Sequence, residues 1–184
     1  MTSTNNQTDE VIGMKNTADI LAVMDERGIS INENIQKFID ETAQAESGIF
    51  DNPLTVINPI TGAAGMFQFI ETKENDSFTT GLNRLSSKKK DGSYVYFNEL
   101  PKWIEEAKKH KNVTKLNKDQ QTALFLANLH QQIGTDDLFK QISEGDMKAK
   151  VDMYIKHHHK GKIVDGKRVY DDTVIDYAKE FFWS

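Results

Sequence analysis

Cysteine is absent from the 184 residues, which excludes a disulfide framework, thiolate catalysis and cysteine-ligated metal. Proline occurs three times, so helices can run with few imposed breaks. No apolar run approaches the roughly 20 residues that cross a bilayer. The opening stretch Met1–Glu10 is polar and acidic and lacks the basic start and apolar core of a secretory signal. Synthesis in a cytoplasm without a signal peptide is therefore expected. An excess of positive charge is also missing. The net charge of −5 argues against nucleic acid as a partner. What remains, 38% hydrophobic and 28% charged residues, suits a soluble globular chain. One domain over residues 16–184 is expected, preceded by a flexible arm over 1–15.

Hydrophobic spacing and capping residues predict a mainly α protein, of class α+β, with short β-hairpin elements. Asn16-Thr17-Ala18-Asp19 offers a helix start, with Ile20, Leu21 and Met24 on one face and Gly28 as the stop. Ser30-Ile31-Asn32-Glu33 reads as a capping box, opening a helix whose apolar stripe is Ile31, Ile35, Phe38, Ile39 and Thr42. Further helices are expected after Pro101, after Asn117, around Leu138 to Ile142, from Met147 onward, and over Thr173 to Phe182. Asp165-Gly166 between β-prone segments predicts a hairpin, and Asp91-Gly92 a turn into a short strand over 93–97.

Glu46 continues the stripe of the second helix at the i+4 step after Thr42, near the helix end marked by Gly48. Partial burial and the negative end of the helix dipole both disfavour a carboxylate there, so a raised pKa is expected. An acid kept protonated near neutral pH can serve as a glycosidase proton donor. Gly62-Ala63-Ala64-Gly65-Met66-Phe67-Gln68-Phe69 follows after a loop. It is no phosphate loop, because the Gly-Lys-Ser/Thr ending and the preceding strand are missing.

Other clusters have plainer readings. Lys88-Lys89-Lys90 and Lys108-Lys109-His110-Lys111 can meet an anionic polymer, but also suit a solvated loop and a helix end favoured by the dipole. His157-His158-His159 raises the question of a metal. Adjacent residues on an α-helix diverge and no His-Glu-x-x-His motif occurs, so no metal and no cofactor are expected. Tyr94 and Tyr96 share one face of the expected strand, where flat rings can stack on sugars. Asp51, Glu71, Glu74 and Asp76 are the acids available as a second carboxylate, should the chemistry be hydrolysis.

The order of these pieces resembles the soluble lytic transglycosylase family of the lysozyme-like superfamily, over about Ile31 to Phe182. The resemblance is carried by Glu46-Ser47, by Gly62 to Phe69, by the helix Gln120-Gln121-Thr122-Ala123-Leu124-Phe125-Leu126-Ala127-Asn128-Leu129, and by Thr173-Val174-Ile175-Asp176-Tyr177. It implies a lysozyme-like, phage-type domain that cuts peptidoglycan between N-acetylmuramic acid and N-acetylglucosamine, with Glu46 as the single acid/base. Ser47, Gln68 and Tyr177 would support it. Met66, Phe67 and Tyr154, with Tyr94 and Tyr96, would bind the glycan. Action in the periplasm or cell wall follows, as a pore-released (holin-dependent) endolysin or a virion component. Where the family commonly has Ala-Tyr-Asn-Ala-Gly, this chain has Met153-Tyr154-Ile155-Lys156-His157. A hydrolytic muramidase, and a noncatalytic virion or wall-binding module, remain open alternatives.

Overall fold

The structure, a computed structural model, describes residues 14–70, 76–159 and 161–183. Most of the expected N-terminal arm, and Glu71 and Glu74, lie outside the described residues. Eight α-helices occur among them: α1 Lys15–Glu26, α2 Glu33–Ser47, α3 Ser77–Leu85, α4 Lys102–His110, α5 Lys118–His130, α6 Thr135–Ser143, α7 Met147–Met153 and α8 Asp172–Phe182. A π-helical segment, Tyr154–His159, continues α7. One antiparallel hairpin pairs β1 Lys162–Val164 with β2 Lys167–Val169. The protein is mainly helical, as its periodicity predicts. No described helix is long and apolar enough to cross a membrane.

Two local expectations need correction. Asn32 caps α2, its Oδ1 accepting from the amides of Asn34 and Ile35. Ser30 therefore lies outside the cap and Ile31 is exposed, while Ile35, Phe38, Ile39 and Thr42 are buried as the stripe requires. The expected strand over 93–97 reduces to a single bridge between Lys88 and Tyr94. Helix α3 falls where the sequence is ambiguous, because Thr79, Thr80 and Gly81 are poor helix formers. It forms because Asp76 caps it through Thr79 and because Phe78, Leu82 and Leu85 bury one face. The hairpin turn places Asp165 and Gly166 both at positive φ, 49° and 74°, as a two-residue Asp-Gly turn demands.

The chain forms two compact units. The first takes the described residues up to Val23 and Glu46–Asn128. Its centre is α5, where Ala123 to Ala127 are all buried. Gly81 of α3 lies against Leu124, so closely that a Cβ there would approach Leu124 to 2.7 Å. The start of α1 is held by a distant residue: Asp119 accepts from the amides of Asn16 and Thr17, from the Asn16 side chain and from the Thr17 hydroxyl. A carboxylate receiving the orphan donors of a helix N-terminus combines capping with a favourable dipole interaction.

The second unit takes Met24–Ala45 and Leu129 onward. Phe38 sits in its core against Phe139, edge-on at 6.3 Å, and Phe182 at 6.1 Å. Asn32 and Asn34 both donate to the Ser143 carbonyl, joining the start of α2 to the end of α6. His130 is buried, 3.4 Å from Asp136. Burial, reinforced by the Arg27 charge, lowers its pKa from 6.5 to about 4, against the opposing pull of Asp136. Between those values the unfolded chain takes up a proton that the folded chain refuses. Stability contributed by neutral His130 is thus full above pH 6.5 and is lost as pH falls toward 4, by about 3 kcal/mol. Urea titrations across that window should show this slope, and H130Q should flatten it.

Candidate functional site

The first unit brings the end of α2 and the glycine-rich segment together. The Ser47 hydroxyl, buried, donates to the Met66 carbonyl at 3.0 Å. Glu46, in the last turn of α2, is half-buried. Chain reversal is local to the segment: Ala64 and Phe69 exchange both backbone hydrogen bonds at 2.9 Å, Gly65 donates to the Val56 carbonyl and Asn58 to that of Ala63. Ile57, Ala64 and Phe69 are thereby bridged side by side.

Gln121 of α5 locks this turn. Its Oε1 accepts from the Met66 amide at 2.8 Å, and its Nε2 donates to the carbonyls of Leu54 and Leu116 at 2.9 and 3.0 Å. Gly65 adopts φ 77°, and a Cβ there would meet Gln121 Oε1 at 2.4 Å. Glycine is required at this position both by backbone angle and by space. In the sequence Gln121 stands only as part of the α5 motif, yet a signal for its role exists there: it is a polar residue on the buried side of an apolar helix, and such a group must be hydrogen-bonded.

Gln68 is the strained member of the segment, a non-glycine residue at φ 48°. Its Nε2 donates to the Gly65 carbonyl at 2.9 Å, which fixes the amide orientation. Its Oε1 is buried and has no hydrogen-bond partner among the described residues. Backbone strain together with an unpaired buried acceptor is the combination found where a ligand group completes a site.

Of the aromatic residues expected at a glycan, Phe67, Tyr96 and Tyr154 are buried in the core. Phe67 is fully buried and stacks on Phe125 with centroids 4.1 Å apart and planes 2° apart. Its role is to anchor the glycine-rich segment to α5, not to touch a sugar. Tyr96 is buried and edge-on to Phe97. Tyr94 is half-buried with the Lys88 ammonium 5.0 Å over its ring. Tyr154 is buried against Phe182 at 5.1 Å. For Phe67, Tyr96 and Tyr154 apolar area outweighed the pattern: a ring gains more from the core than from water. Met66 remains half-buried.

In the second unit, Tyr177 is exposed on α8 and its hydroxyl donates to the Ala45 carbonyl at 3.0 Å. It ties α8 to a carbonyl near the end of α2, one residue before Glu46 in sequence. His158 and His159 offer ring nitrogens within 4.8 Å of each other. The expectation that neighbouring histidines diverge is corrected by the π-helical turn, which separates successive side chains less than an α-helix does. His157 is engaged with Gln132 through its carbonyl and its Nδ1. Asp76 is the α3 cap and Asp51 is exposed.

Comparison of the chain with family models, curated proteins and solved structures returns no match.

Proposed function

We propose that this protein is a lysozyme-like enzyme that cleaves the β-1,4 bond between N-acetylmuramic acid and N-acetylglucosamine in peptidoglycan, with Glu46 as acid and base. The observation that carries the reading is the Ser47–Met66 hydrogen bond, which joins the helix end bearing Glu46 to the turn bearing Gln68. Glu46 protonates the glycosidic oxygen as the bond to the muramyl C1 breaks. The resulting carboxylate then takes the proton from the muramyl C6 hydroxyl as that oxygen attacks C1. The product is a 1,6-anhydromuramyl end, and water is not consumed. Gln68 Oε1 is buried without a partner among the described residues, and a rotation of the side chain toward the surface would present it to the N–H of a substrate acetamido group.

Hydrolysis by the same acid is the second reading, for which a further carboxylate would activate water. Among the described residues Asp76 is committed to capping α3, which favours the single-acid route over one using that residue. A phage endolysin or virion component acting in the periplasm or wall is the context that fits the resemblance.

Mass spectrometry of fragments released from purified peptidoglycan tests the proposal. Anhydromuramyl ends support lytic transglycosylation, reducing ends turn the assignment to hydrolysis, and an absence of fragments overturns catalysis. Replacing Gln68 with Leu should lower kcat/KM on N-acetylated glycan about tenfold, the effect of one lost hydrogen bond in a dry site. Cleavage of de-N-acetylated glycan should change little.

A further inference from the structure

A cleft of about 310 Å³ opens in the first unit on the Gly62–Phe69 turn, beside the end of α4. Phe69, Phe78 and Val113 wall it with apolar surface, and the exposed Ile57 extends that wall. His110 and Lys111 supply its polar end. Lys111 forms no ion pair among the described residues. Its backbone lies in the left-handed region, φ 45° and ψ 52°, where its N–H donates a hydrogen bond to the Ala107 carbonyl. Glycine is the usual occupant of this helix-end conformation, so a lysine here keeps its cation at the cleft at a conformational cost. His110 Nδ1 accepts from the Asn112 amide at 3.1 Å. The neutral ring therefore carries its proton on Nε2, as a second donor.

We propose that this cleft binds the carboxylate end of a short peptide of small residues, the alanyl stem peptide of peptidoglycan. Its identification as a stem peptide rests on the function proposed above. Alanyl methyl groups match the apolar wall of Phe69, Phe78 and Val113. One carboxylate matches the cationic end, where a charge-assisted hydrogen bond to Lys111 forms at low cost in desolvation. The volume lies at the small end of ligand sites, too small for a polysaccharide and suited to two or three small residues. The cleft and the Ser47–Met66 junction share one rigid turn, so a peptide held here would set the register of the attached glycan.

The probe is N-acetyl-D-alanyl-D-alanine, titrated into the intact protein while backbone amide NMR shifts are recorded. The expected result is saturable shifts at Ala64, Val113 and Asn112, with affinity reduced about tenfold for the C-terminal amide of the same peptide. K111G removes the cation and relieves the left-handed strain, so it folds without loss of packing and should weaken binding by a similar factor. K111R should retain binding. Equal binding of acid and amide, an unaffected K111G, or shifts elsewhere would overturn the proposal. E46Q separates the two readings: peptide binding that persists while no preparation cleaves glycan leaves the cleft standing and removes the catalytic assignment.

Discussion

Replacing Glu46 with Gln is expected to reduce release of peptidoglycan fragments at least about a thousandfold while leaving the thermal midpoint nearly unchanged. General acid and base catalysis each contribute about 10²–10⁴-fold, and in the single-acid route both steps use the same carboxyl group. Glutamine keeps the shape of the side chain but has no proton to give and no carboxylate to receive one. The position is half-buried at the end of α2 and the exchange is nearly isosteric, so the fold is expected to tolerate it. A substantially active E46Q, or an equal loss of folding and activity, would refute the role of Glu46 as the proton carrier.

Replacing Gln121 with Leu should destabilise the protein by about 4 kcal/mol and abolish activity with it. Leucine fits the volume but leaves the Met66 amide and the Leu54 and Leu116 carbonyls without the partners that Gln121 supplies. Each buried polar group left unpaired costs about 1–3 kcal/mol. Because the same amide fixes the turn between Gly65 and Gln68, the damage reaches the candidate site without touching it. Urea denaturation should show a lowered midpoint with an unchanged slope. A G65A variant provides an independent check, since its Cβ would intrude on the same oxygen and the backbone angle opposes it. A Q121L protein as stable as the parent would show that the turn is held by other means.

The helices of this protein are legible in its sequence where capping and periodicity agree. Asn117 and Gln120 form a reciprocal cap on α5, each side chain accepting from the other's amide. Pro101 precedes α4, and Asp165-Gly166 turns the hairpin. Helix α3 was not legible, because its backbone propensities are weak and its stability comes from burying Phe78, Leu82 and Leu85. Ser30 and Asn32 both resemble caps, and only the path of the chain selected Asn32.

The candidate site divides in the same way. Glu46, Ser47 and Gln68 stand out from residue type and spacing alone, and a resemblance can attach roles to them. Whether an aromatic residue faces a ligand or a core is decided by apolar area competing across the fold, and Phe67, Tyr96 and Tyr154 were drawn inward.

The sequence by itself determined a helical, cysteine-free chain with one acid at a helix end and a glycine-rich turn nearby, because caps, periodicity and backbone angles act over a few residues. Tertiary structure alone decided that Asp119 would hold the start of α1 and that Gln121 would lock the turn. Those bonds join residues 102 and 55 positions apart, and their existence depends on which buried polar groups the folded chain leaves in need of a partner.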